Sequence, residues 1–152
     1  FASLYPNGLS IAAEPVISNY SHLEANVSLN GFTNILMQRI VFSHETAIVP
    51  LYTPNLEPGA SGAQMIQPID EHGNKFEQCQ RIEDIMAFSL SDYLRLFGSK
   101  PHIFDRPIYV KIDVDGQEDK VLGGIDDFTN IKSLLVEFNS EKKKKTWIRK
   151  KK

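Results

Sequence analysis

Apolar and polar positions along the 152-residue chain fall into two rhythms, one of strands and one of helices. Leu9-Ser10-Ile11-Ala12-Ala13 is a short strand that ends at Glu14-Pro15. Val16, Tyr20, Leu23 and Val27 then recur at helical spacing. Pro15 suits the first position of that helix, where its missing N–H costs nothing, and Gly31 suits the residue just past its end. The run Ile35 to Phe42 (ILMQRIVF) reads as a second strand. Residues 43–88 are punctuated by Pro50, Pro54, Pro58 and Pro68, and read as an inserted β-hairpin or a long ordered loop. Within it Ala47–Tyr52 and Ala63–Ile69 are strand candidates, each with a proline that belongs on a sheet edge. Arg81–Phe88 is a further strand. Ser89-Leu90-Ser91-Asp92 opens a short helix, with Ser89 or Ser91 as its cap, and Gly98 closes it.

The last third carries the clearest pattern. Ile108 to Asp113 is a strand, a helix spans about Gln117 to Ile125, and Ser133 to Phe138 is a final strand. Both strands are nearly continuous in apolar residues, as parallel strands covered on both faces tend to be. Strand–helix–strand, insert, helix–strand–helix–strand predicts an α/β protein with a doubly wound sheet. One domain over residues 1–141 with its insert at 43–88, and a basic tail over 142–152, is the expected organisation.

Composition narrows the chemistry. No apolar run approaches the ~20 residues of a membrane-spanning helix, and a cytoplasmic location is expected. Cys79 is the only cysteine, so neither an intrachain disulfide nor a cysteine-built zinc site can form. His22, His44, His72 and His102 lack paired metal spacing. The net charge of −2 conceals an asymmetry, because residues 142–152 hold eight of the 17 lysines and arginines and no acid. Only Trp147 interleaves with those lysines, which is no stacking platform, and no nucleic-acid partner is expected.

Two acidic strand ends stand out. Glu14 closes a strand just before a helix, where nucleotide-binding α/β folds place an acid that accepts hydrogen bonds from ribose hydroxyls. A solvated loop glutamate is the plainer account. Asp113, Asp115 and Glu118 follow the 108–113 strand, at the end of an open sheet where ligands bind. They also suit a helix start, since acids favour its dipole. A calcium loop beginning at Asp113 fails, because its required glycine would fall on Glu118. Asp113-Val114-Asp115 also matches the short Asp-x-Asp pair that holds a metal and a sugar diphosphate in many glycosyltransferases.

Taken together, the spaced motifs resemble the FkbM-type family of S-adenosylmethionine (SAM)-dependent methyltransferases. They are Ala13-Glu14-Pro15; Leu23, Asn26, Asn30 and Gly31 with Asn34-Ile35; Ser89-Leu90-Ser91-Asp92-Tyr93-Leu94; Lys111-Ile112-Asp113-Val114-Asp115-Gly116-Gln117-Glu118 with Val121-Leu122-Gly123-Gly124; and Val136-Glu137-Phe138. The similarity covers about residues 8–139, and Asp115 stands where the family usually has Glu. The resemblance implies a Rossmann-like sheet of the class I methyltransferase type, present here as a middle portion without its glycine-rich first turn. It implies methyl transfer from SAM to an oxygen of a small-molecule acceptor, possibly a sugar. Asp113 would be the base or acceptor-positioning group, supported by Glu118. Glu14 would hold the ribose of SAM, and Ser43 and His44 would line the adenine pocket. A non-catalytic truncated module and a metal-dependent glycosyltransferase are the competing expectations.

Overall fold

The computed structural model describes residues 2–53, 64–65, 75, 79–98, 107–114 and 116–138. It is a mixed α/β structure with three helices and, among the described residues, three small sheets in place of one continuous sheet. The first sheet pairs β1 (Ser10–Ala13) with β2 (Ile35–Gln38) in parallel, Ser10 opposite Ile35 and Ala13 opposite Gln38. Helix α1 (Ile17–Leu29) is the crossover between them. It ends as the sequence predicts. Gly31 has φ 63°, its N–H donates to the Ser28 carbonyl, and the Phe32 N–H donates to that of Val27. This paired closure needs a residue at ease with positive φ. The helix start is corrected. Val16 is the cap, because its carbonyl takes the Tyr20 N–H at 2.8 Å, so Pro15 stands outside the helix.

The 35–42 run does not make one strand. It breaks at Arg39-Ile40, and β3 (Val41–Ser43) joins a different sheet. That four-stranded sheet has the order β3-β6-β4-β5. β4 (Ala47–Thr53) and β6 (Gln80–Ser89) are antiparallel, whereas β3 runs parallel to β6. β5 (Gln64–Met65) meets β4 only at Leu51 and Tyr52, so Pro50 lies where β4 has no second neighbour among the described residues. The remainder of the predicted 63–69 strand lies outside the described residues. Helix α2 (Leu90–Gly98) follows β6 directly. Ser89 is its cap, accepting the Asp92 N–H at 3.0 Å, while the Ser91 hydroxyl accepts the Asp126 N–H at 2.8 Å. The third sheet pairs β7 (Ile108–Ile112) with β8 (Ile131–Val136) in parallel, across helix α3 (Glu118–Gly123).

Two cores result, and β3 and β6 form the wall between them. Val41 and Ala87 face a cluster with Val16, Val49, Leu51 and Ile85. Phe42, one residue on and therefore on the other face, packs against Leu90, Ile112, Val121, Leu122 and Ile125. Full burial of a leucine such as Leu51 or Leu122 is worth about 2 kcal/mol. The insert pairs β4 with β6 antiparallel, and its strands build the first core. The expectation that β7 and β8 are covered on both faces is corrected too. Tyr109 is 60% exposed and Leu135 61%, because only Val110 and Ile112 of β7 and Ile131, Leu134 and Val136 of β8 meet the second core. No helix among the described residues is long and apolar enough to cross a membrane.

Candidate functional site

The first acidic turn is held from three sides. The Glu14 N–H donates to the Gln38 carbonyl at 3.1 Å, which carries the parallel ladder one residue beyond β1. Its carboxylate folds forward, where Oε1 accepts the Val16 N–H at 2.9 Å and the Asn19 side chain also bonds to it. An otherwise unpaired N–H at the helix start is thereby satisfied. Half-burial pushes the Glu14 carboxyl up, and these two bonds pull it partly back. Arg39 supplies the third hold, through Nε to the Pro15 carbonyl at 3.4 Å. The same guanidinium forms an ion pair with Glu83 of β6. Val16 anchors the turn in the first core.

The second acidic turn sorts its acids by depth. Asp113 stands at the solvent-exposed carboxyl end of β7, and Lys111 Nζ lies 2.7 Å from its Oδ2. Residues i and i+2 share a face as a strand runs out, so this pair follows from the period of two. The hydrogen bond to Asp113, and then the Asp113 charge, push the Lys111 ammonium up, and Glu137 past the end of β8 adds to it. Val114 then turns into the second core. Gly116 has φ 95°, which favours a residue without Cβ, and its N–H donates to Glu118 Oε1 at 2.7 Å. Glu118 is 0% exposed, and its Oε2 has no hydrogen-bond partner among the described residues. Asp115 lies outside the described residues. Among those described, no three His, Cys, Asp or Glu side chains converge on a metal position.

Ser43 and His44 sit at the far end of α3. Ser43 closes β3 opposite Ser89 and is 2% exposed. A Cβ on Gly124 would drive into the Ser43 carbonyl, so glycine is required where α3 ends against the sheet. The Gly124 carbonyl accepts the Ser91 N–H at 3.0 Å, which ties α2 to the same corner. His44 Nδ1 lies 3.3 Å from the Ser43 hydroxyl, and its Nε2 lies 3.5 Å from Glu45 in a half-exposed setting. His44 is therefore the member of the pair that a ligand can reach, and Ser43 supports it from below. Helix α3 rises about 7.5 Å from Glu118 to Gly123, so it links the Asp113 turn to the His44 corner.

No hydrogen bond or ion pair joins Glu14 to Asp113, Glu118, Ser43 or His44. A cavity of about 240 Å³ lies elsewhere, at the amino ends of β7 and β8, between Ile108, Ile131 and Arg95. Arg95 is already paired there with Asp92 and Asp126. Sequence reasoning missed Lys111, Glu137, Arg39 and Glu83. Only Lys111 carried a readable signal, its i,i+2 spacing from Asp113 on a strand. No protein-family model, curated protein or solved structure matches this chain.

Proposed function

We propose that the chain is a SAM-dependent methyltransferase domain of the FkbM type, acting on a hydroxyl of a small molecule such as a sugar. In this reading β1–β2 and β7–β8 belong to a Rossmann-like doubly wound frame. The observation that carries it is the half-buried Glu14 carboxylate at the end of a parallel β1–α1–β2 unit. That is the position from which an acid meets a ribose in nucleotide-binding α/β folds. A carboxylate has about four acceptor sites, and Val16 and Asn19 engage two, so capacity remains for ribose hydroxyls. The His44 ring offers a flat, reachable surface for the base.

Bound SAM supplies a methyl group already activated on a sulfonium. The chain's work is alignment and proton removal. Asp113, exposed at the end of β7, would take the proton of the acceptor hydroxyl, and Glu14 and His44 would hold the methyl donor. Lys111 fixes the direction of the Asp113 carboxylate. Glu118 is buried and holds the turn through the Gly116 N–H, so it acts as a positioning residue.

The test is transfer of tritium from methyl-labelled SAM to a panel of sugars and other polyols. Transfer by the wild type that falls at least ~100-fold in Asp113→Asn supports the reading. Undiminished transfer in Asp113→Asn removes the base assignment, and no transfer to any acceptor removes the activity. A non-catalytic interaction module is the second reading, favoured by the open Tyr109 and Leu135 face of β7–β8. It expects neither SAM binding nor transfer.

A further inference from the structure

We propose that Arg39 is a positioning residue that locks the Glu14 turn to the four-stranded sheet through Glu83, and so sets the affinity of that turn for a nucleoside. This rests on the reading above that Glu14 meets a ribose. The chain must change sheets after β2, and Arg39 stands at the change. One guanidinium there holds two otherwise separate pieces. Nε donates to the Pro15 carbonyl at 3.4 Å, and Nη2 pairs with the Glu83 carboxylate of β6. Both side chains are 32% exposed, so the pair is partly screened from water.

The connection to Glu14 is short. Gln38, the neighbour of Arg39, takes the Glu14 N–H, and Pro15 is the neighbour of Glu14. The direction of the carboxylate depends on the Val16 N–H that it accepts, and Val16 is the next residue of the same turn. Arg39 itself belongs to neither core cluster. Its loss therefore loosens the turn more than it loosens the fold. Lysine is no substitute, because an ammonium lacks the planar fork that reaches a carbonyl and a carboxylate at once.

The experiment compares the 152-residue wild type with Arg39→Gln, Arg39→Lys and the swap Arg39→Glu with Glu83→Arg. S-adenosylhomocysteine is titrated by calorimetry, exchange of the Val16 amide is followed by NMR, and thermal unfolding is recorded. Arg39→Gln is expected to raise the Kd about 10-fold and to speed Val16 exchange by a similar factor. Its Tm is expected to fall by no more than about 4 °C. Arg39→Lys keeps the charge and the Tm but still weakens binding. The swap restores the charge pair and the Tm without restoring Kd, because a glutamate at position 39 cannot donate to the Pro15 carbonyl. A swap that restores Kd together with Tm overturns the inference, since the pair would then serve the fold alone. Wild-type binding equalled by Arg39→Gln overturns the inference and leaves the nucleoside reading intact. A wild type that binds no S-adenosylhomocysteine overturns both.

Discussion

Glu14 and Glu118 each close a strand-to-helix turn, and each returns one carboxylate oxygen to a backbone N–H. They differ in what surrounds the other oxygen. Glu14 is half-buried and retains access to solvent, with its carboxyl pushed up by partial desolvation. Glu118 is fully enclosed, and Oε2 has no donor among the described residues. An acid at a strand end therefore serves a ligand only when the turn leaves it a reachable face. At the second turn that face belongs to Asp113, which stands just past the strand, and not to Glu118, which opens α3 and is buried.

The largest loss of stability is expected at the corner that carries the second turn. Gly124→Ala forces a methyl into the Ser43 carbonyl and should cost about 3 kcal/mol in urea unfolding, because backbone gives way less easily than a side chain. A loss below about 1 kcal/mol would show that α3 does not bear on β3 as described. Glu118→Ala comes next. It strands the buried Gly116 N–H and leaves a void, at a cost of about 2 kcal/mol. Glu118→Gln keeps an oxygen for that N–H and should cost less than ~1 kcal/mol. Equal losses in the two variants would mean that Oε2 meets a proton donor after all.

Tyr93→Phe sharpens the same point at the wall between the cores. The Tyr93 ring packs edge-on against Phe42 and Phe88, yet its buried hydroxyl has no partner among the described residues. Removal of the hydroxyl should stabilise the chain by about 1 kcal/mol, read as a higher urea midpoint. The smallest effect is expected at the first turn. A folded carboxyl held above its ordinary 4.5 binds its proton more tightly than the unfolded one, so stability falls as pH rises through that window. Glu14→Gln should flatten the pH dependence of Tm there. A dependence unchanged by Glu14→Gln would remove Glu14 as its source.

How far the sequence foretold these features depended on whether the signal was local. The α1 terminus at Gly31 was legible, since a glycine after a helical repeat has one common use. The Ser89 cap was legible down to a choice of two serines, which the Thr46 hydroxyl resolves. It accepts the Ser89 N–H and donates to Asp92, which fixes Ser89 ahead of the helix. The break in the 35–42 run was not legible, because an unbroken apolar run does not say which sheet each half joins. The burial of Glu118 was equally hidden. It depends on the Gly116 backbone and on α3 packing against a sheet distant in sequence. Of the five site residues named from sequence, Glu14 and Asp113 stand where a ligand can reach them, and His44 is half-exposed. Ser43 and Glu118 lie beneath the surface as supports.

In the proposed reading the Glu14 turn receives the ribose of SAM. The most direct measurement is a calorimetric titration of S-adenosylhomocysteine into the wild type and Glu14→Ala, with Asp113→Asn as the control. One-to-one binding by the wild type, weakened at least ~10-fold in Glu14→Ala and unchanged in Asp113→Asn, is the expected result. Binding of equal strength in wild type and Glu14→Ala, or none in the wild type, would contradict it.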